Sequence, residues 1–160
     1  MIDVLIWLPS FNISGMNVGH AALQIGFSDY VSLWPGDFKD FLTNPVMSPI
    51  FHSYREDVEA EGGPPDCVVR LYSLGDEAMR TAWHRFKSSG MRYDLFNMNC
   101  SSIILELLMI GYEESNKAAI NPFREVSLLL LTLWHTVVGS GAEGPYAVLR
   151  FARAIEDAES

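Results

Sequence analysis

The chain has 160 residues, the length of one ordinary domain, and 49% of them are hydrophobic while 19% are charged. This composition is typical of a globular protein and excludes a disordered or fibrous chain. The 20 acidic residues against 11 Lys and Arg give a net charge of −9. A surface of that charge repels phosphate backbones, so we expect no nucleic-acid partner.

The first residues, MIDVLIWLPSF, are apolar but lack the basic start and the small-residue cleavage site of a signal peptide. Residues 3–8 are therefore expected to form a buried strand. The longest apolar run, residues 126–138, contains polar interruptions and is too short to span a bilayer. These features predict a soluble chain without a signal peptide or a transmembrane span.

Three further segments have strand patterns. Residues 18–25 alternate so that His20 and Gln24 share one face, and residues 30–34 follow after a short turn. Residues 67–72 are another β-type run. Together with the first strand, they predict an antiparallel sheet.

Residues 35–65 lie between these strands and differ from them in composition. They are rich in proline, carry an acidic patch at 56–61, and have no sustained periodicity. This pattern predicts a loop-rich insertion within a single domain of residues 1–160.

Two helices are predicted between this insertion and the C-terminal part. The first begins with Asp76 as N-cap and closes at Gly90. The second has Asn99 as N-cap, places Cys100 in its first turn, and ends at Gly111. Cys100 therefore lies where helix backbone N–H groups are unpaired.

Residues 122–160 are predicted to contribute two extra C-terminal helices, at 122–138 and 146–159. The predicted class is therefore α+β, with an antiparallel sheet packed against the Cys100 helix.

Cys100 is the candidate nucleophile. The thiolate is the reactive form of cysteine, and a helix N-terminus lowers the thiol pKa while its N–H groups can hold an oxyanion. Cys67 lies in a predicted strand and is interpreted as a core residue. With no CxxC pair and no histidine-rich run, we expect no metal site and no cofactor. The sequence leaves a disulfide between the two cysteines open.

His20 is the candidate base among four histidines. It follows a glycine at the start of a strand, and two alanines beside it allow another element to approach closely. His84 is predicted to be solvated on a helix, His135 to be a core or boundary residue, and His52 to lie in the proline-rich stretch.

The segments NVGHAALQIG, YVSLWP and YDLFNMNCSSIILELL resemble the circularly permuted papain-like thiol enzymes. That superfamily includes lecithin:retinol acyltransferase-like enzymes, NlpC-like amidases and bacterial toxin domains. Its permuted members carry the histidine strand before the cysteine helix, as this chain does. GHAALQ and SLWP are most similar to the Rho-inactivation type of toxin domain, whose members resemble fatty-acyl transferases. The resemblance covers residues 4–111.

The resemblance implies a circularly permuted papain-like fold and a thioester intermediate on Cys100 with His20 as base. It also implies an acyl, lipid or protein/peptide substrate, and a toxin or secreted effector with an immunity or host protein as partner. Retinol acyltransferase relatives carry a second histidine on the next strand, where this sequence offers Ser32. Gln24 and Asn99 are the other candidates for an orienting or oxyanion role.

Three functions therefore remain open. One is a cysteine hydrolase or acyltransferase that acts on acyl or amide bonds. A second is a cell-wall peptidase or amidase of the NlpC-like type with the same machinery. The third is a catalytically silent interaction domain that binds through its proline-rich loop and hydrophobic C-terminal helices.

Overall fold

A computed structural model of the chain describes residues 1–12, 15–36, 46–116 and 144–159. These residues form ten strands and four helices. The strands are β1 (Ile2–Trp7), β2 (Ser10–Asn12), β3 (Gly15–Asn17), β4 (His20–Ile25), β5 (Asp29–Val31), β6 (Trp34–Pro35), β7 (Val46–Met47), β8 (Pro49–Ile50), β9 (Cys67–Leu71) and β10 (Tyr93–Asp94). The helices are α1 (Tyr54–Glu61), α2 (Asp76–Ser88), α3 (Cys100–Asn116) and α4 (Pro145–Glu159).

The central sheet has four antiparallel strands in the order β5-β4-β1-β9. Its register pairs Trp7 with His20 on one side of β1 and Ile6 with Cys67 on the other. These are the four strands predicted from the sequence, with ends that differ by at most three residues. The α+β class is therefore confirmed.

Successive side chains of a strand point to opposite faces of the sheet, and both faces are buried under helical structure. Val4 and Ile6 of β1 belong to the main core with α2, α3 and α4. The alternate residues Leu5 and Trp7 belong to a smaller cluster on the opposite face, together with Val58 of α1. The sheet is thus a middle layer with α3 on one side and α1 on the other.

Helix α1 lies inside residues 35–65, which the sequence pattern predicted as loop-rich. The Ser53 side chain accepts from the Glu56 backbone N–H while the Glu56 carboxylate accepts from Ser53, which forms a capping box. Gly62 ends the helix in the left-handed conformation at φ 78°. This part of the prediction missed a helix whose N-terminal signal is present in the sequence.

Helix α3 continues to Asn116, so Gly111 does not end it as predicted. A Cβ at Gly111 would lie 2.5 Å from the Met79 sulfur of α2. The Gly111 carbonyl also accepts a hydrogen bond from the Gly75 backbone N–H at 2.9 Å. The glycine therefore permits close packing of α2 on α3. Gly75 is also the N-cap of α2, one residue before the predicted Asp76.

The predicted helix at 146–159 is confirmed as α4. Val148, Ala152 and Ile155 lie one helical turn apart and are buried in the main core. The predicted helix at 122–138 lies outside the described residues. In the described part of the chain, no helix combines the length and apolar character needed to cross a membrane.

Candidate active site

Cys100 is the first residue of α3, and Asn99 holds that helix start in shape. The Asn99 Oδ1 accepts from the backbone N–H groups of Ser101 at 2.9 Å and Ser102 at 3.0 Å. Its Nδ2 donates to the Leu95 carbonyl at 2.8 Å. Asn99 is therefore a helix cap whose amide is occupied by the local turn.

His20 is the first residue of β4, and its position depends on Gly19. Gly19 has φ 77°, and a Cβ there would lie 2.5 Å from the Trp7 carbonyl oxygen. Only glycine therefore lets β4 begin this close to the end of β1. His20 is 2% exposed, which places its ring inside the molecule beneath that turn.

Cys100 and His20 are close enough for each side chain to shift the pKa of the other. Burial raises the pKa of the Cys100 thiol, but His20, the Ala21 backbone N–H and the Ser101 hydroxyl together outweigh burial and hold that pKa below its ordinary value. Burial lowers the pKa of His20, but Asp57 and Cys100 together raise it to about 9. Both shifts favour a thiolate beside an imidazolium.

Asp57 of α1 is fully buried and faces the far side of the His20 ring. Its Oδ2 lies 3.3 Å from His20 Nε2 and accepts from the Tyr30 hydroxyl at 2.6 Å. Its Oδ1 accepts from Ser32 Oγ at 2.8 Å and from Trp34 Nε1 at 2.7 Å. Burial raises the Asp57 pKa, but His20 and the hydroxyl donors outweigh burial and lower it. Asp57 is therefore an anion.

The hydrogen-bond directions around Ser32 assign the His20 tautomer. Ser32 Oγ lies 3.0 Å from His20 Nε2 and donates its own proton to Asp57. Ser32 must then accept from His20, so Nε2 carries a proton. The ring nitrogen left to serve Cys100 is Nδ1.

A second histidine contacts the same carboxylate. His52 Nδ1 lies 3.2 Å from Asp57 Oδ1, at an angle outside hydrogen-bond geometry. The Trp34 ring stacks on His52 at a centroid distance of 5.0 Å and contacts the His20 ring at 4.6 Å. Asp57 and Trp34 therefore both lie between two imidazoles.

Tyr93 borders the site from β10. Its side chain is 5% exposed. Burial raises the pKa of its hydroxyl, and the charge of Cys100 raises it further. The phenol therefore stays protonated beside a thiolate and keeps a proton that it can donate.

The structure brings three of the five sequence-predicted site residues together, namely Cys100, His20 and Ser32. Asn99 lies beside them as the helix cap. Gln24 shares the His20 face of β4, but its amide nitrogen donates to the carbonyls of Gly26 at 3.1 Å and Asp29 at 3.2 Å. Gln24 therefore stabilises the hairpin turn.

Asp57 is the site residue that the sequence pattern missed. The capping box that starts α1 could have revealed its helix, but no sequence signal shows that Asp57 faces the sheet. Both cysteines are free thiols. Within the described residues, no group of three or more His, Cys, Asp or Glu could hold a metal ion.

Comparison of the chain with protein-family models, with curated proteins and with solved structures finds no match. The geometry of the site is therefore the basis on which a function is inferred.

Proposed function

We propose that the chain is a cysteine-dependent enzyme that acts on acyl or amide bonds through a thioester on Cys100. One observation carries the proposal: Cys100 begins a helix beside His20, whose opposite ring nitrogen is held by Ser32 and Asp57. A nucleophile, a base and a group that orients the base are the three parts of an activated-nucleophile site.

The reaction begins from the ion pair, in which His20 Nδ1 already holds the thiol proton. The Cys100 thiolate attacks the acyl carbon, and a tetrahedral oxyanion forms. His20 returns its proton to the leaving amine, alkoxide or thiolate, which leaves a thioester. Water or an amine then attacks the thioester while His20 takes its proton, which releases the acyl group and restores the thiolate–imidazolium pair.

The Asn99 cap determines which backbone N–H groups remain available to donate to the oxyanion. The backbone N–H groups of Ser101 and Ser102 already donate to Asn99, so they are occupied. The Cys100 N–H has no acceptor among the described residues and is the backbone donor that we assign to the oxyanion. The buried Tyr93 hydroxyl, whose raised pKa keeps it protonated, is a second candidate donor.

We further propose that the fold is a circularly permuted papain-like one. The chain order supports this: the His20 strand precedes the Cys100 helix, and the antiparallel sheet packs against that helix. Because fold alone does not imply activity, a silent interaction domain with the same arrangement is the alternative that the experiment must exclude.

Iodoacetamide labelling at pH 7, read by peptide mass spectrometry, tests the proposal. We expect Cys100 to react at least about tenfold faster than Cys67, because its thiolate is paired with an imidazolium. His20→Gln is expected to remove this difference. Cys67→Ser is the matched control and is expected to leave Cys100 labelling unchanged. Equal, slow labelling of both cysteines would favour the interaction domain.

Activity is measured on acyl thioesters and on short peptides and muropeptides, with water or an amine as acceptor. Cys100→Ser is expected to abolish turnover while the thermal midpoint stays unchanged, because a helix-start residue contributes little packing. Parallel loss of activity and folding would mean that Cys100 is structural.

A further inference from the structure

A cavity of about 420 Å³ opens between the C-terminal end of α2 and the segment around β7 and β8. This volume is within the range of sites that bind small molecules. Its lining includes the apolar side chains of Leu33, Phe86 and Met91 and the cationic side chains of Lys87 and Arg92. It therefore combines an apolar wall with positive charge.

Two residues that line the cavity are sequence neighbours of residues in the candidate active site. Leu33 lies between Ser32 and Trp34, both of which donate to Asp57. Arg92 directly precedes Tyr93, the buried residue that borders the site from β10. The cavity and the candidate site therefore share these two chain segments, with Leu33 turned toward the main core and Ser32 toward Asp57.

The charge of the lining is opposite to that of the whole chain. The net charge of the chain is −9, yet the described residues that line the cavity include two cations and no carboxylate. The Lys87 ammonium lies 5.3 Å from the centre of the Trp83 ring, and Arg92 donates to the Val46 carbonyl at 3.3 Å. Both side chains are exposed, and these contacts direct one of their faces toward the cavity.

We propose that this cavity binds the anionic end of the substrate, a carboxylate or phosphate ester carried on an apolar body. The apolar body contacts Leu33, Phe86 and Met91, and the anion pairs with Lys87 and Arg92. The role as a substrate subsite rests on the proposed function, whereas the binding itself does not.

Calorimetric titration of the full chain tests the binding. The probes are 2-naphthyl phosphate, 2-naphthoate and the uncharged 2-naphthol, which separate a phosphate from a carboxylate preference. We expect the better anion to bind at least about tenfold more tightly than 2-naphthol, because charged hydrogen bonds add to the apolar contact. Equal binding of the three probes, or no binding of either anion at millimolar concentration, overturns the proposal.

The variants locate the anion. The double variant Lys87→Gln and Arg92→Gln is expected to weaken anion binding at least about tenfold and to leave 2-naphthol binding unchanged. Arg85→Gln removes one exposed charge from the same helix outside the cavity and is the matched control. If the double variant does not fold, Ser48→Glu replaces it. This substitution adds a negative charge to the lining and is expected to weaken anion binding. An effect of Arg85→Gln as large as that of the cavity variants overturns the proposal.

Protection of Cys100 tests the substrate role. If the cavity is a substrate subsite, saturating anion is expected to slow iodoacetamide labelling of Cys100 at least about threefold, because the bound probe then obstructs the approach to the thiol. Anion binding without protection would show a separate site and overturn the substrate role. A reactive Cys100 without anion binding would refute this inference and leave the proposed function standing. Anion binding beside an inert Cys100 would refute the proposed function instead.

Discussion

Asp57 is the residue that most changes the interpretation of the site. A carboxylate with no exposed surface is costly unless it is paired and hydrogen-bonded. Here its two oxygens accept from Tyr30, Ser32 and Trp34 and face the His20 ring. The donors keep Asp57 ionised, and the ionised carboxylate in turn keeps Nε2 of His20 protonated. Asp57 therefore orients His20 and stabilises its imidazolium.

We expect Asp57→Asn to lower kcat/KM about 10²-fold and to slow Cys100 alkylation at pH 7. An amide cannot stabilise the imidazolium, so the thiol pKa rises toward its ordinary value. The pH profile of alkylation measures this shift. Glu59→Gln, an exposed position on the same helix, is the control. A wild-type profile in Asp57→Asn would remove Asp57 from the mechanism.

The pKa shifts of Cys100 and His20 also define a pH window. The thiolate forms below the ordinary thiol range because the Cys100 pKa is lowered, and the imidazolium persists until pH rises through about 9. We expect turnover to rise as the thiol ionises and to fall again near pH 9, because His20 then has no proton for the leaving group. N-acetylcysteine alkylation, measured alongside, gives the unperturbed profile. A turnover that keeps rising above pH 10 would contradict this assignment.

At the scale of elements, strands were easier to predict than helices and turns. The side chains of residues 18–25 alternate in direction because one face of β4 is buried under α3. This burial requires an apolar residue at every second position, which is visible in the sequence. Helix α1 has a mostly charged surface, and its fully buried residue is a carboxylate, so hydrophobic periodicity does not reveal it. At Gly111 the sequence predicted a helix end that the structure does not have. The glycine is there because α2 packs closely on α3, and in the sequence it looks the same as a helix C-cap.

Gly19 and Gly62 provide a matched test of how the start of β4 positions His20. Their φ angles are 77° and 78°, but a Cβ at Gly62 meets nothing within 4 Å while one at Gly19 meets the Trp7 carbonyl. We expect Gly62→Ala to cost about 1 kcal/mol of unfolding free energy, for the backbone conformation alone. Gly19→Ala is expected to cost about 3 kcal/mol, because the clash adds to that cost.

Urea unfolding of both alanine variants measures these costs, and Cys100 alkylation reports on the site. Gly19→Ala is expected to slow alkylation, whereas Gly62→Ala is expected to leave it unchanged. Equal effects of the two variants on stability would mean that the approach of β4 to β1 tolerates a side chain.

At the scale of the whole molecule, the site joins the two helical layers through the sheet. Cys100 comes from α3 on the main-core face, and Asp57 comes from α1 on the opposite face. His20, at the first position of β4, contacts both. The sequence predicted the Cys100 and His20 partners because each lies on a regular element. It could not predict Asp57, because the docking of α1 depends on tertiary contacts.

This connection predicts how acid affects the fold. The Asp57 pKa is lower in the folded chain than in the unfolded one, so its stabilisation is present above the unfolded value of about 3.9 and is lost as pH falls through the folded value. We expect Asp57→Asn to lower the unfolding free energy by about 3–5 kcal/mol near pH 6. The gap between the two proteins is expected to narrow as pH falls below about 4, because protonated aspartate resembles asparagine. Urea unfolding across this range measures it, and a constant gap would contradict an ionised Asp57.

The contact of Trp34 with both His20 and His52 has an optical consequence. A protonated imidazole next to an excited indole quenches its emission more strongly than a neutral one does. The Trp34 ring lies 4.6 Å from the ring of His20 and 5.0 Å from that of His52. The difference in fluorescence between the wild-type chain and Trp34→Phe therefore isolates an intrinsic reporter of imidazole protonation. The chain thus carries its own spectroscopic indicator of the charge state of the site, readable without a substrate.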